Sequence, residues 1–480
     1  MGLKVFTVDF EKFAQESLMR SNYKTAVIGI EIESRIRQLE RKFTRLKDYF
    51  YIVSGFAFKS ADYEQEGIPL IRIGDVGNNF DEKNMVFLPE DYKEEYERFL
   101  LKKNDIIVSL TGDGKLKSDL ILEDDRYLLN QRVGSLRAKE NVNILFYYYL
   151  INYYSLTRLQ FYWWSNGKTQ LNISPFDFLN IKIPLIPKSE QDQIVAKIEP
   201  IEKRIKELKD EIKNPQEVIN RVFAREFGFD ESWLLEFGKG MTAGTQIAEN
   251  KGLRVFYTDF KELSKSNILR FSTRFHNPPT KKLMSFLDGL DTLQVKDILL
   301  EPVHRGASPK YNPDGDVPVV KTGHLKNGYI EISQEEFVDS DFYNSSVRSQ
   351  IKNGDILIAS TGKISLGKID LLEEEQDLVA DSHVSIIRID DKKYSRQFFT
   401  YFFRCILGYF QIERDFTGAT NQIELYADEI SNFQTPNIPL KAQQKIVDEI
   451  KVELDKQEVI KNQIKRERNK TDKIIEKAIQ

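Results

Sequence analysis

The residues best suited to chemistry in this sequence lie on two similar glycine-containing turns. The first turn reads SLTGDGKLK over residues 109–117, and the second reads STGKISLGK over residues 360–368. Glycine lets the backbone come close to a phosphate group, while threonine, serine and lysine side chains donate hydrogen bonds to phosphate oxygens. Both turns therefore predict contacts with phosphate groups.

Other segments carry residue types that enzymes use, but their context does not favour catalysis. Residues 238–243 have the glycines of a dinucleotide-binding loop, yet they follow a helix-like stretch instead of a strand. Cys405 is the only cysteine, so it cannot form an intramolecular disulfide or a cysteine-based metal site. None of the spacings that a helical zinc site uses occurs among His276, His304, His324 and His383. We predict no catalytic residue and no metal site.

One further segment, Asn277-Pro278-Pro279-Thr280, resembles the Asn-Pro-Pro-aromatic loop with which adenine methyltransferases hold a flipped base. Thr280 stands where the aromatic residue would stack on that base, and no glycine-rich S-adenosylmethionine loop precedes it. A self-sufficient adenine methyltransferase is therefore a weaker alternative. Methyl transfer by the isolated chain would support it.

The composition is that of a folded protein. Of 480 residues, 41% are hydrophobic and 12% aromatic, which argues against disordered and fibrous architectures. The net charge of −4 argues against a partner held by bulk electrostatics, but it leaves room for local basic patches. The single cysteine indicates a reducing compartment, and the N-terminal residues lack the apolar core of a signal peptide. We expect a cytoplasmic, prokaryotic protein without a membrane segment.

The sequence contains one unit twice. GLKVFTVDF at 2–10 returns as GLRVFYTDF at 252–260, and KNDIIVSLTG at 103–112 returns as KNGDILIASTG at 352–362. Six pairs of segments recur in the same order, 249 to 252 residues apart, which indicates a duplication of about 250 residues. The other pairs are 68–76 with 317–325, 130–137 with 381–388, 165–174 with 416–425, and 180–198 with 432–450.

The front of each unit predicts an α+β globular domain. Short runs rich in valine and isoleucine, such as DIIVSL and DILIAS, alternate with glycine, asparagine and aspartate turns and indicate strands. The aromatic-rich stretches at 143–164 and 396–412 are long enough for helices. The predicted organisation is a first domain at 1–187 with an N-terminal extension, a helix at 188–228, a second domain at 229–439 and a second helix at 440–480, related by an internal pseudo-two-fold repeat.

The back of each unit carries apolar residues at heptad-like spacing between mixed charges. This pattern predicts two long helices that pack against each other in antiparallel fashion, like a coiled coil. Pro200 lies inside the first helix, where it removes a backbone donor and should produce a kink. The predicted packing residues are Ile194, Ile198, Ile201, Ile205, Leu208 and Ile212 in the first helix, and Ile446, Ile450, Leu454, Ile460 and Ile464 in the second.

Several motifs resemble one known family. SGFAFKSADY at 54–63 and HRGASPKY at 304–311 resemble two versions of the loop that leads into a target-recognition domain. The GKT and GAT turns, followed by NIKIPLIPKSEQDQIV, resemble the end of such a domain and the start of a spacer helix. In these features the chain resembles the specificity (S) subunit of Type I restriction-modification enzymes, over about residues 46–213 and 270–480.

The resemblance implies a non-catalytic subunit that binds double-stranded DNA. Each of two target-recognition domains would read one half of a split DNA sequence, and the paired helices would set the distance between the halves. The helices would also dock two methyltransferase subunits, joined by translocase-nuclease subunits. The modification would be N6-methylation of adenine in both halves, and the partner subunits would bind S-adenosylmethionine, ATP and magnesium.

The turns supply the predicted DNA contacts. Gln170 and Asn421 have side chains that can bind an adenine edge through two hydrogen bonds. Trp163 and Trp164 could line a groove. The full set of predicted contacts is Thr111, Lys115, Lys117, Lys168, Thr169 and Gln170 in the first domain, and Thr361, Lys363, Lys368, Thr420 and Asn421 in the second.

Two further readings stay open. The chain could be the specificity subunit of a related Type IIB-like two-subunit restriction system, since both systems use this type of reader. It could also be a helical adaptor that assembles proteins without reading DNA. Selection of a split sequence from a random DNA pool by the purified complex would separate a DNA reader from an adaptor.

Overall fold

The computed structural model describes residues 23–64, 66–77, 80, 85–112, 115–139, 142–166, 171–230, 232–233, 246–247, 254–259, 272–333, 335–419 and 422–480. These residues form two compact units. The first unit comprises the described part of Met1–Glu211 together with Ile460–Gln480, and the second comprises the described part of Ile212–Val459. Every helix in this part of the chain is too short or too polar to cross a lipid bilayer.

The first unit combines small sheets with short helices and one long helix. Its main sheet is antiparallel with strand order β2-β9-β5-β7, and a smaller sheet has the order β4-β3-β8. The helices are α1 (Tyr23–Gln38), α2 (Leu46–Tyr49), α3 (Tyr92–Glu95), α4 (Ile144–Tyr153), α5 (Ser155–Trp164), α6 (Pro175–Leu179) and α7 (Lys188–Glu211). The strands are β1 (Phe43–Arg45), β2 (Phe50–Ser54), β3 (Ile68–Ile71), β4 (Val86–Leu88), β5 (Ile106–Ser109), β6 (Thr111–Gly112), β7 (Ser118–Leu120), β8 (Leu128–Leu129), β9 (Val133–Ala138), β10 (Leu171–Asn172) and β11 (Lys182–Pro184).

The second unit likewise combines small sheets with short helices and one long helix. Its helices are α8 (Pro215–Phe227), α9 (Thr273–His276), α10 (Pro278–Asp288), α11 (Ser340–Ser345), α12 (Arg396–Arg404), α13 (Ile406–Asp415), α14 (Ala427–Ser431) and α15 (Leu440–Ile479), of which α15 ends in the first unit. The strands are β12 (Gln246–Ile247), β13 (Arg254–Val255), β14 (Thr292–Gln294), β15 (His304–Arg305), β16 (Val317–Val320), β17 (Phe337–Val338), β18 (Gln350–Ile351), β19 (Ile356–Ala359), β20 (Ile369–Leu371), β21 (Leu378–Ala380), β22 (Val384–Ile387), β23 (Thr417–Ala419), β24 (Gln422–Glu424) and β25 (Gln434–Pro436).

Strand register confirms that the sequence repeat is a structural repeat. The antiparallel sheet β15-β22-β19-β20 has the same order as β2-β9-β5-β7 in the first unit. Ser54 pairs with Gly134, and 251 residues later Arg305 pairs with Ser385. A parallel pair also recurs, since β3 pairs with β8 and β16 pairs with β21. The predicted α+β class and its duplication are therefore confirmed.

The two aromatic stretches form helices, as predicted, but each is divided in two. Tyr154 separates α4 from α5, and Cys405 separates α12 from α13, each in an extended backbone conformation. The aromatic side chains of both pairs fill the cores of their own units; Phe398 and Phe402, for example, are fully buried. The break lets two short helices turn buried faces towards one core, because a single straight helix buries one face only.

A buried glutamine ties the aromatic helices to the last strand of each domain. The Gln160 side chain donates to the carbonyl of Lys182 at 2.7 Å and accepts from the amide of the same residue at 2.8 Å. Gln411 makes the same two bonds with Gln434, at 2.9 and 2.7 Å. Both glutamines are almost fully buried. Each satisfies a buried backbone donor and acceptor at the end of the domain.

A second glutamine fixes the start of each long helix. Gln191 donates to the carbonyl of Ile186 at 2.8 Å and accepts from the amide of Asn143. Gln443 donates to Ile438 at 2.8 Å and accepts from the amide of Ser395, also at 2.8 Å. Asn143 and Ser395 are the N-caps of α4 and α12. Each glutamine therefore joins the strand-to-helix connection, the long helix and an aromatic helix.

The apolar seam of the long helices is buried at most of its predicted positions. Fully buried members are Ile194, Ile198, Ile205, Leu208, Ile446, Ile450 and Ile464, whereas Ile201, Ile212, Leu454 and Ile460 are partly buried. The sequence interpretation missed that the seam extends to Thr471, Ile475 and Ile479. Pro200 does not end α7, which continues to Glu211; the kink stays a prediction.

Each unit contains an antiparallel pair of helices that includes one part of α15. In the first unit Ile194 and Ile198 near the start of α7 share a core with Ile475 and Ile479 at the end of α15. Glu202 and Lys209, farther along α7, lie within electrostatic range of Arg468, farther back in α15. The two segments therefore run in opposite directions.

The segment predicted as one helix at 188–228 is two helices in the structure. Asn214 caps α8 by accepting from the amide of Gln216 at 2.9 Å, and Pro215 occupies the first helical position, where its missing N–H is harmless. In the second unit the amide of Lys213 donates to Gln457 at 2.8 Å, and Glu226 lies 3.7 Å from Lys445. Hence α8 pairs with the first part of α15.

The buried glutamine bonds predict a large cost for their removal. Gln411→Ala deletes two hydrogen bonds and leaves the Gln434 amide and carbonyl buried without them. We expect a loss of about 3 kcal/mol in the free energy of unfolding, measured by urea unfolding. Gln397→Ala, which removes a surface bond to Glu373, is the control and should cost less than about 0.5 kcal/mol. Equal losses for both variants would contradict the assigned role.

Candidate nucleic-acid interface

In the second unit, the turn between β19 and β20 and the hairpin β23–β24 form one continuous surface. Thr361 pairs with Glu424 in an isolated antiparallel bridge. The amide of Gly362 donates to the carbonyl of Ile423 at 3.3 Å, and the amide of Leu425 donates to Ser360 at 2.8 Å. The turn, which carries the predicted contact residues Thr361, Lys363 and Lys368, therefore lies beside strand β24 of the hairpin.

Arg305 connects this hairpin to strand β15. Its guanidinium donates to Oε1 of Glu424 at 2.6 Å and to the carbonyl of Leu425 at 2.9 Å. The Tyr426 hydroxyl donates to the other carboxylate oxygen of Glu424 at 2.8 Å. The bond from Arg305 lowers the pKa of Glu424 and keeps it ionised. Side-chain exposures of 24% for Arg305 and 37% for Glu424 leave fixed polar groups at the surface.

Lysines lie on the predicted contact turns of both units. Lys363 is exposed and Lys368 is half-buried, and in the first unit Lys115 and Lys117 are exposed. An exposed lysine can reach phosphate oxygens without first leaving a packed environment. Thr111 is different, because it is 8% exposed and forms part of the β6–β10 pairing.

Five predicted contact residues, Lys168, Thr169, Gln170, Thr420 and Asn421, lie outside the described residues. Trp163 is buried at 8% exposure in the core of the first unit, with its ring against that of Trp164 at a centroid distance of 4.6 Å. Trp163 therefore packs in the core, and the interpretation that it lines a groove is wrong. Its place at the end of α5, beneath helix α1, explains the burial, since a Cβ on Gly29 would lie 3.2 Å from its indole nitrogen.

The first unit has the same frame with different side chains. Thr111 pairs with Asn172 where Thr361 pairs with Glu424. Ser54 occupies the strand position of Arg305, as the shared register shows. The charged pair of the second unit is thus replaced by two neutral polar residues at matching positions. The two surfaces offer different hydrogen-bonding groups from one backbone arrangement.

A glycine fixes the leading loop in both units. A Cβ on Gly55 would lie 2.2 Å from the carbonyl oxygen of Asn130, and a Cβ on Gly306 would lie 2.0 Å from that of Ala380. Side chains at these positions are therefore excluded by backbone. The loop motifs at 54–63 and 304–311 differ in sequence, but both require glycine at this position.

In each unit a buried aspartate on the strand that follows the contact turn accepts hydrogen bonds from a neighbouring loop. Asp370 accepts from the amides of Lys326 at 2.8 Å and Asn327 at 3.0 Å, and also from that of Gly328. Asp119 accepts from the amide of Gly77. Burial raises the pKa of both aspartates to about 6 despite these bonds. Each carboxyl holds a neighbouring loop against the strand that follows the contact turn.

The described residues give a structural role to the segment that resembled a methyltransferase loop. Asn277 caps α10 by accepting from the Thr280 amide at 2.8 Å, and both residues are almost fully buried. Among the described residues, no three His, Cys, Asp or Glu side chains cluster as metal ligands would.

Sequence reasoning missed Arg305, Glu424 and Tyr426. The arginine lies inside the recognised motif at 304–311, which was a usable signal. No sequence signal marked Glu424 as its partner, because 119 residues separate the two.

Comparisons with known proteins match both repeats to one family. A family model described as the Type I restriction modification DNA specificity domain matches residues 39–215 and again 288–467, well over half of the chain.

Two curated relatives match part of the chain. The Type I restriction enzyme MjaVIII specificity subunit of Methanocaldococcus jannaschii is 32% identical over 171 residues, 34% of this chain and 39% of that protein. The EcoAI specificity subunit of Escherichia coli is 28% identical over 186 residues, 37% of this chain and 31% of that protein. The chain thus spans about a third of the length of these relatives. The crystal structure of a Type-I restriction-modification system S subunit from M. genitalium aligns over 92% of this chain and 96% of that chain, with 15% identity and a TM-score of 0.42.

The buried aspartates predict an unusual dependence of stability on pH. Because the folded state raises the pKa of Asp370 from 3.8 to about 6, it binds the proton more tightly than the unfolded chain does. This stabilisation is present below about pH 4 and is lost as the pH rises through 6. The loss is about 3 kcal/mol. Asp370→Asn, which does not titrate, should lack it.

The measurement is urea unfolding of both proteins between pH 4 and pH 7. The unfolding free energy of the wild type should fall relative to that of the variant as the pH rises. Asp314→Asn, at an exposed position, is the control and should follow the wild type. If the free energy of unfolding has the same pH dependence in Asp370→Asn and the wild type, the pKa of Asp370 is not raised.

Proposed function

Because the chain belongs to the Type I restriction-modification DNA specificity family, we propose that it reads the DNA target for a Type I restriction-modification enzyme. It would bind double-stranded DNA with one target-recognition domain for each half of a split sequence. The observation that carries this proposal is the repeated frame with two different polar surfaces. One backbone arrangement presents Arg305 and Glu424 in the second unit, and Ser54 and Asn172 in the first.

Different surfaces on one frame imply that the half-sites differ in sequence. Base edges are distinguished by the pattern of donors and acceptors that meets them in the major groove. An arginine paired with a glutamate offers a different pattern from a serine and an asparagine at the matching positions. The proposal therefore favours an asymmetric bipartite target over a palindrome.

Phosphate contacts would come from the turns and not from the overall charge. With a net charge of −4, the protein as a whole does not attract DNA. Exposed Lys115 and Lys117 in one domain, and Lys363 with half-buried Lys368 in the other, provide local cations. Such contacts fix the position of a domain on the duplex without reading sequence.

The catalytic steps are assigned to partner subunits in this proposal. Two methyltransferase subunits would bind S-adenosylmethionine and methylate adenine, and translocase-nuclease subunits would bind ATP and magnesium. This chain would recognise the target sequence and bind the partner subunits. A Type IIB-like two-subunit system would use the same reader with other partners.

Exchange of one domain tests the modular reading. Replacement of residues 270–436 by the corresponding domain of another specificity subunit should change one half of the methylated sequence and leave the other half unchanged. The measurement is the genomic methylation pattern by single-molecule sequencing, with the unaltered gene as control. A change in both halves, or no sequence preference in either protein, would count against the proposal.

The helical seam is expected to be necessary for assembly. Ile205 and Leu208 are 3% and 2% exposed, so aspartate at either position would bury an unpaired charge at a cost of several kcal/mol, roughly the range for an uncompensated polar group. Ile205→Asp and Leu208→Asp should therefore abolish co-purification with the methyltransferase. Lys206→Asp, one residue away on the exposed face, should retain it. If all three variants co-purify fully with the methyltransferase, the apolar seam is not required for assembly.

A further inference from the structure

The turn between β19 and β20 in the second unit has a shape fixed by its own hydrogen bonds. The amides of Ser365 and Leu366 donate to the carbonyl of Gly362 at 3.0 and 2.8 Å, and the amide of Gly367 donates to Ala359 at 2.9 Å. Gly362 and Gly367 have φ angles of 86° and 78°, in the region that favours glycine. The backbone of this turn therefore sets the direction of the Cα–Cβ bond at each of its residues.

The turn divides its two aliphatic side chains between core and solvent. Leu366 is 8% exposed and packs in the core of the unit. Ile364 is 90% exposed, the most exposed large hydrophobic side chain among the described residues. Because hydrogen bonds close the turn around Gly362, Ile364 is held in solvent by the backbone.

Polar and cationic groups surround this isoleucine along the chain. Lys363 precedes it and Lys368 closes the turn, and Thr361 at the base of the turn is bridged to Glu424 of the hairpin. An aliphatic side chain between two lysines, to which the proposed function assigns phosphate contacts, is suitably placed to meet a base edge. The lysines would hold the backbone of the duplex, and the isoleucine would meet an apolar group on a base edge.

The apolar group available in the major groove is the 5-methyl of thymine. Other base edges present donors and acceptors that an isoleucine would leave unpaired. The first unit has no equivalent side chain, because its shorter turn carries Asp113 and Gly114 between Gly112 and Lys115. Such a contact would therefore distinguish the two half-sites.

We propose that Ile364 reads a thymine in the half-site bound by the second domain, through apolar contact with the thymine 5-methyl group. This inference rests on the proposed function of the chain as a DNA reader. It assigns one residue to one base type, and it predicts that the half-site of the second domain contains thymine.

The test uses the complex of this chain with its methyltransferase partner. The DNA duplexes contain the target sequence that genomic methylation identifies, in unmethylated form. Each thymine of the second-domain half-site, identified by the domain exchange, is replaced in turn by uracil, which removes only the methyl group. At one position, wild-type binding should weaken about 4-fold, the factor that corresponds to burial of one methyl group at about 0.8 kcal/mol. Ile364→Ala should bind the thymine and uracil duplexes equally.

Leu122→Ala serves as the matched control, because Leu122 is a 70% exposed aliphatic residue of the first unit. It should keep the full sensitivity to uracil in the second-domain half-site. The inference is overturned if that half-site lacks thymine, if no uracil substitution weakens wild-type binding, or if Ile364→Ala keeps the wild-type sensitivity. A complex that selects no sequence at all would instead overturn the proposed function.

Discussion

The structure depends on buried glutamines that hydrogen-bond to backbone at the end of each domain. Gln191 and Gln443 each link the start of a long helix to the N-cap of an aromatic helix and to the preceding loop. A helix attached through an apolar contact alone could slide or rotate on its domain, because apolar contacts are non-directional. Hydrogen bonds have directional geometry, so these side chains set the direction in which each long helix leaves its own domain.

The sequence predicted those parts of the fold that are encoded locally or by repetition. The recurrence of residues 180–198 at 432–450 predicted the duplication, and the heptad spacing identified buried positions such as Ile198 and Ile450. The roles of Gln191 and Gln443 within that recurring segment were not predicted. Nor did the sequence predict the division of the first long helix at 212–214, although Asn214-Pro215 is a strong helix start. The heptad pattern continues across that point, and periodicity alone does not show where a chain leaves one helix and begins another.

The candidate site was predictable only in its turns. Glycine and lysine at 112–117 and 362–368 are local signals, because their roles depend on adjacent residues. The ion pair between Arg305 and Glu424 is a tertiary contact across 119 residues, and neither residue type is unusual where it stands. For Trp163 the sequence predicted a surface role that the structure contradicts. An aromatic residue near a polar turn has the same local sequence pattern whether it faces a groove or a core.

The energies of these interactions explain which features the two copies share. A half-exposed ion pair such as Arg305–Glu424 contributes roughly 0–1 kcal/mol to folding, so neutral Ser54 and Asn172 at the matching places cost the fold little. A buried glutamine that satisfies two backbone groups contributes several times more, and its loss leaves those groups unpaired. The requirement for stability therefore keeps the buried frame the same in both copies, whereas the exposed polar surface is free to differ. Duplication of such a unit therefore produces two copies with the same backbone geometry and different surface chemistry.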